Sequence, residues 1–107
     1  MTHEDYHFSI TVHTDDLAVL HCLRALADYA EKSSQKKIAW GGTTKPNWQC
    51  NNNCVVFHFS KNGFREEFKR QARRLLPEAS WTLKREADND PAKPERAKPV
   101  EDKLKTI

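Results

Sequence analysis

The hydrophobic period of this chain changes from two residues to 3.6 and back, and it does so twice. Polar and apolar residues alternate over residues 7–13, and helical spacing follows over residues 17–30. The alternation returns over residues 54–60, and helical spacing follows again over residues 64–76. Because a half-buried strand has period two and an amphipathic helix has period 3.6, the sequence predicts two successive strand–helix units.

A shorter strand is expected to close each unit. We assign these strands to residues 36–40, with residues 48–50 as an extension, and to residues 81–85. Thr14 and Asn62 are the predicted N-caps of the two helices, and Pro77 ends the second. The order β-α-β-β-α-β predicts a ferredoxin-like α+β fold: a four-stranded antiparallel sheet with two helices on one face and strands one and three in the middle.

The length of 107 residues suits one small domain, which we place at residues 1–86. Residues 87–107 alternate proline with charge and are expected to be a disordered tail. No apolar run approaches the roughly 18 residues of a membrane span, and the acidic N-terminus does not resemble a secretion signal. Three cysteines is an odd number, typical of free thiols in a reducing compartment, so we expect a cytoplasmic protein.

Charge is distributed unevenly along the chain. Residues 1–35 hold two Lys and Arg against six acids, whereas residues 36–86 hold eleven against four. The second half of the predicted domain is therefore strongly basic, which favours an anionic partner.

The basic residues concentrate on the second predicted helix. Its polar positions are mostly Lys and Arg, which can contact phosphates. A solvated helix face is the competing interpretation, because Glu66 and Glu67 can pair along the helix and late cations suit its dipole. The candidate nucleic-acid-binding residues are Arg65, Lys69, Arg70, Arg73, Arg74, Lys84 and Arg85.

The two central strands are expected to leave one face of the sheet open. If Phe8, Ile10 and Val12 point toward the helices, as do Val55, Phe57 and Phe59, the opposite face carries mainly imidazoles and hydroxyls. Such groups hydrogen-bond bases or sugars, although they are also ordinary on a solvated face. His7, His13 and His58 are therefore candidate partner-binding residues.

The loop over residues 41–53 is the longest irregular stretch of the predicted domain, and long loops often carry function. Trp48 within it is expected either to cover the edge of the core or to anchor a partner. Lys45, Trp48 and Gln49 complete the candidate partner-binding set.

Metal binding and catalysis have weaker support. Cys50 and Cys54 lack a second ligand pair at suitable spacing, so no metal or cofactor is expected. The histidines are the residues that acid–base chemistry needs, but no carboxylate falls predictably beside them. A metal-independent nuclease is therefore a distant hypothesis, and a non-catalytic protein is expected.

The sequence thus favours a small non-catalytic module that contacts nucleic acid through a basic helix. The second hypothesis is a protein-binding adaptor or inhibitor, which could be a homodimer, acting through the open sheet face and the loop over residues 41–53. A membrane partner is not expected. The sequence does not distinguish DNA from RNA, nor does it identify the partner.

Overall fold

Strand β1 (Phe8–His13) lies at the centre of the structure and pairs antiparallel with a strand on each side. The structure is a computed structural model, and it describes residues 2–33 and 35–93. Single-turn 3-10 helices lie at His3–Asp5 and Glu78–Ser80. The other elements are α1 (Leu17–Ala30), α2 (Lys36–Trp40), α3 (Lys45–Cys50), β2 (Cys54–Phe59), α4 (Asn62–Leu75) and β3 (Thr82–Ala87).

The sheet formed by the described residues has three strands in the order β2-β1-β3. Phe8 pairs with Phe59 and His13 with Cys54, so β1 and β2 are aligned along their whole lengths. The pairing of β1 with β3 shifts register between Thr11 and Val12. One face of the sheet packs against α1 and α4. The opposite face, which we call the open face, is half-buried at Thr11, Val56 and His58 and is enclosed at Ser9, which is 2% exposed.

The predicted ferredoxin-like fold with four strands and two helices is wrong. Residues 36–40, expected to be the second strand, form helix α2, so β2 lies at an edge of the sheet instead of its middle. Lys and Ala favour helices and are poor in strands. The helix also buries Ala39 completely and places Trp40 on α1, where its Nε1 donates to Asp28 Oδ1 at 3.3 Å.

The expected extension of that strand is also helical. Residues 48–50 belong to α3, which begins at Lys45 and has Pro46 in its first turn, where proline is well tolerated. Thr44 N and Thr44 Oγ1 donate to Asn47 Oδ1 at 3.2 and 2.5 Å. The turn into β2 uses left-handed backbone at Asn52 and Asn53, as the run of asparagines predicts.

The two long helices occur where the period indicates them, although their caps differ from the prediction. Asp16, and not Thr14, caps α1 by accepting a hydrogen bond from Ala18 N at 2.8 Å. Asn62 lies inside α4, and its predecessor Lys61 is the N-cap residue. The expected orientation of the strands is confirmed, because Phe57 and Phe59 are fully buried in the core.

The chain remains ordered against the domain after β3. Asp90 N donates to His7 O and Ala92 N to Tyr6 O, both at 2.9 Å, and Ala92 is buried. Residues 88–93, placed in the tail by the sequence, therefore lie beside the residues that precede β1. The rest of the predicted disordered tail, residues 94–107, lies outside the described residues.

A buried carboxylate joins the end of α1 to the end of β2. Glu31 is fully buried and accepts hydrogen bonds from Ser60 N at 3.0 Å and Ser60 Oγ at 2.6 Å. Tyr6, also fully buried, hydrogen-bonds Ser33, and burial raises the pKa of its phenol, to which the nearby charge of Glu31 adds. This polar cluster fixes the end of the sheet from which α4 begins.

Candidate nucleic-acid interface

Arg65, the first cation of α4, is enclosed by the protein. Its Nη1 donates to Ser9 O at 3.2 Å and to Ala87 O at 2.9 Å, and its Nη2 donates to Asn62 Oδ1 at 2.9 Å and Asp88 Oδ1 at 2.6 Å. Only 6% of the residue is exposed. Arg65 therefore joins β1, β3 and α4 and is not accessible to a partner.

Lys69, the next cation, is neutralised by carboxylates. Its Nζ lies 3.1 Å from Glu86 Oε1 on β3 and 3.1 Å from Glu66 Oε2 one turn earlier. Glu86 Oε1 also lies 3.4 Å from Arg65 Nε, within ion-pairing distance but without a well-directed hydrogen bond. The first half of α4 is thus an ion-pair network and offers little unpaired positive charge.

The second half of α4 is different. Arg70 pairs with Glu67, but its side chain is 69% exposed. The hydrogen bond from Gln71, supported by that from Arg70, holds the pKa of the Glu67 carboxyl below its usual value. Glu67 therefore stays ionised, and Arg70 pairs with it while remaining at the surface.

Arg73 and Arg74 are exposed in the last turn of α4. Arg74 Nε donates to Gln71 Oε1 at 3.1 Å. Within residues 2–33 and 35–93, no carboxylate lies at ion-pairing distance from either arginine. Arg73 also lines a cleft of about 500 Å³ with Trp81 and Glu78.

The two candidate residues of β3 do not extend the α4 surface as a single patch. Ile10 faces the helices and pairs with Glu86, whereas Thr11 pairs with Arg85, so Arg85 shares the open face. Lys84, which is exposed, lies at the register shift. A bulge with charged residues also protects an edge strand from pairing with another chain.

The candidate histidines are spread along the sheet. His13 Nε2 lies 3.4 Å from Asp15 Oδ1 at one end of the open face. His58 is four residues from Cys54, the partner of His13, so about 13 Å of strand separates the two imidazoles. His7 Nδ1 lies 2.6 Å from the Asp88 carbonyl. This spacing does not place His13 and His58 around a single phosphate.

His58 is the most enclosed of these side chains. Its side chain is 15% exposed, and burial lowers the pKa of the imidazole from its usual 6.5. The Asp90 carboxylate, with Oδ2 at 3.9 Å from Nε2, opposes that shift. His58 therefore presents a neutral imidazole near neutral pH.

The three candidate residues of the loop over residues 41–53 also differ in exposure. Trp48 is buried, and its indole Nε1 donates to Thr14 O at 2.7 Å, so it covers the edge of the core. Lys45 and Gln49 are exposed on α3. The loop reaches the open face through Gly41 and other residues that line a groove beside β2.

This groove consists of two adjoining clefts of about 280 and 460 Å³, which share Gly41, His58 and Lys93. The sequence gives a partial signal, because the Gly41–Gly42 pair marks the loop; it misses Lys37, assigned to a strand, and Lys93, assigned to the tail. We name this feature the β2 groove and define it by Thr11, Lys37, Gly41, Gly42, Val56, His58 and Lys93.

Comparisons with models of protein families, with curated proteins and with solved structures find no match to this chain. No helix among the described residues is long and apolar enough to cross a membrane. Over the same residues, no group of three or more His, Cys, Asp and Glu side chains could hold a metal ion. The candidate interface must therefore be interpreted from its own chemistry.

Proposed function

We propose that the protein is a small non-catalytic module that binds nucleic acid through phosphate contacts. The supporting observation is the division of charge along α4. Arg65 and Lys69 are held by carboxylates, whereas Arg73 and Arg74 are exposed without one. Arginine donors at such positions suit the bidentate geometry of phosphate oxygens.

The phosphate-contacting surface in this proposal is the second half of α4. Arg70, Arg73 and Arg74 lie within two helical turns, and Arg70 is largely exposed despite its pairing. Late cations also suit the helix dipole, so their presence alone does not require a partner. Binding must therefore be measured directly.

The test is titration of a labelled oligonucleotide with the full chain at low salt, followed by fluorescence anisotropy. The double variant Arg73→Gln/Arg74→Gln should bind more weakly, because two phosphate contacts are lost. The control is Lys36→Gln, which removes an exposed charge from the start of α2, outside the α4 surface, and should bind nearly as wild type. Equal losses in both variants, or no binding by the wild type, would contradict the proposal.

A protein-binding adaptor is the second candidate, which could be a homodimer. It is favoured by the larger cleft of the β2 groove, where Gly42 of the loop and Val56 of the open face share one lining. Sedimentation velocity over a concentration series tests self-association, with Val56→Lys as the disruptive variant. A wild type that stays monomeric at all concentrations would exclude the homodimer.

A further inference from the structure

We propose that the β2 groove is the track for a single strand of nucleic acid, with Lys37 and Lys93 contacting phosphates. The bases would lie on a floor formed by Thr11, Val56 and His58. This inference rests on the proposed function and extends it by naming a second surface and the strandedness of the ligand.

The lining of the groove carries positive charge without acidic residues. Lys37 and Lys93 line it, and no carboxylate is among the described residues that line either of its two clefts. The neighbouring cleft, which shares Lys93 with the groove, includes Glu4 and Asp90, and Asp90 Oδ2 lies 3.9 Å from His58 Nε2. Among the described residues neither Lys37 nor Lys93 forms an ion pair, so the two lysines favour an anionic occupant.

Other clefts of the described residues have acidic side chains in their linings. The cleft beside Arg73 includes Glu78, and the cleft at the start of α1 includes Asp15 and Asp16. A carboxylate in the lining repels a phosphate unless a cation outweighs it. The β2 groove is thus better suited to phosphate than these clefts are.

Backbone geometry keeps the wall of the groove close to its floor. A Cβ on Gly41 would lie 3.1 Å from the Lys37 carbonyl oxygen, so a larger residue would require a shift of a few tenths of an ångström between this glycine and α2. Gly42 has φ +77°, in the left-handed region that favours glycine. Gly41 and Gly42 follow α2 directly and themselves line the larger cleft, so they form the side of the groove next to α2.

The floor offers groups that bases can use. Thr11 and Val56 are directly paired across β1 and β2 and are half-buried on the open face. A hydroxyl and a neutral imidazole hydrogen-bond base edges, and the imidazole and valine provide flat or apolar contacts. Unpaired bases can reach these groups, whereas a duplex keeps its base faces stacked and its pairing edges occupied.

The size of the groove agrees with this assignment. The larger cleft, of about 460 Å³, lies within the range of roughly 300–1,000 Å³ that small-ligand sites occupy. The smaller cleft extends it past His58 toward Lys37. Lys37 and Lys93 both line this continuous groove, so they could contact two successive phosphates of a short strand. A ligand with a single anionic group would need only one of them.

The experiment compares single-stranded RNA, single-stranded DNA and the corresponding duplex, each labelled and about ten nucleotides long, with the wild-type full chain. We expect both single strands to bind more tightly than the duplex. Tighter binding of RNA than of DNA would also support the inference, through a 2′-hydroxyl contact in the groove. A duplex that binds as well as the single strands would overturn it.

Variants locate the site. Log affinity falls with log salt, and in Lys37→Gln/Lys93→Gln this fall should be less steep, by about 0.7 in slope for each lysine removed. The matched control is Lys36→Gln, which changes an exposed neighbour on the same helix that does not line the groove. Unchanged binding by Lys37→Gln/Lys93→Gln would overturn the inference.

A second readout does not depend on any variant folding. In ¹H–¹⁵N spectra of the wild type, a single-stranded oligonucleotide should shift the amide signals of Gly42 and Thr11. A poly-glutamate peptide of equal charge should shift them less; equal shifts would overturn the assignment to nucleic acid.

The outcomes for the two surfaces are distinguishable. Binding that is lost in Arg73→Gln/Arg74→Gln but kept in Lys37→Gln/Lys93→Gln removes the groove and leaves the proposed function intact. Absence of any oligonucleotide binding by the wild type at low salt removes both.

Discussion

Replacing Arg65 with methionine should destabilise the protein severely while leaving its exposed cationic surface unchanged. The methionine fills much of the space of the arginine stem, but it donates no hydrogen bonds. Ser9 is 2% exposed, so its carbonyl oxygen loses the Arg65 donor in a place that water reaches poorly. Ala87 O and Asn62 Oδ1 lose the same guanidinium.

The expected loss follows from these contacts. Loss of the hydrogen bond from the charged guanidinium to the buried Ser9 carbonyl costs about 1–3 kcal/mol, and the half-buried Ala87 carbonyl adds a smaller amount. Asp88 is 75% exposed and recovers water, so breaking its ion pair adds at most about 1 kcal/mol. We expect a total of about 3 kcal/mol, which is a large part of the roughly 5–15 kcal/mol that stabilises a typical domain.

Urea unfolding followed by tryptophan fluorescence and circular dichroism measures this loss. Arg65→Lys keeps the charge but lacks the planar fork, so it should be intermediate. Arg70→Met is the matched control: its side chain is 69% exposed, and the expected loss is about 0.5 kcal/mol or less. An Arg65→Met protein as stable as Arg70→Met would refute the structural role of Arg65.

Three further changes test the fold and the site. Glu31→Ala removes both acceptors of Ser60 and should cost about 2 kcal/mol, measured by urea unfolding. Trp48→Phe keeps an aromatic ring but loses the hydrogen bond to Thr14 O, so it should cost about 1 kcal/mol in the same assay. His58 has a lowered folded-state pKa, so protonation favours the unfolded state: stability should fall as pH drops below about 6.5, and His58→Gln should remove that part of the pH dependence.

Each of these changes has a control. Glu4→Ala, at an exposed position, should leave the unfolding midpoint unchanged. For Trp48, the emission lost between the wild type and Trp48→Phe isolates its contribution from those of Trp40 and Trp81. A maximum of that difference typical of water-exposed indole would contradict burial. For His58, identical pH profiles of stability in the wild type and in His58→Gln would show that burial does not lower its pKa.

The sequence predicts most of the framework because the strongly periodic segments are long. The strands β1 and β2 and the helices α1 and α4 bury one face each, and a period of two or 3.6 over several repeats has few other solutions. The closing strand β3 was also located, two residues earlier at its C-terminal end than the structure places it.

The segments between α1 and β2 were misassigned because they are short. Five residues of α2 contain too few repeats to distinguish a strand from a helix, and tertiary contacts decide. The helix places Trp40 within reach of Arg24, whose guanidinium lies 5.0 Å from the ring, and of Asp28. Thr44 followed by Pro46 is a helix-start signal, but the six residues of α3 are too few to show a helical period.

The candidate site was only partly accessible to sequence reasoning. The list of basic residues contains exposed and buried members alike, since composition does not show that Arg65 reaches the carbonyl groups of Ser9 and Ala87. Trp48 was ambiguous for the same reason. The β2 groove joins residues 11, 37, 56, 58 and 93, and no local pattern connects positions so distant in the chain.

The salt dependence of oligonucleotide affinity tests the central claim most directly. For the wild-type full chain, three cations (Arg70, Arg73 and Arg74) in contact with phosphates of a single strand predict a slope of log affinity against log salt of about −2. Binding with a slope near zero, or no binding at low salt, would contradict a protein that recognises nucleic acid through its exposed cations.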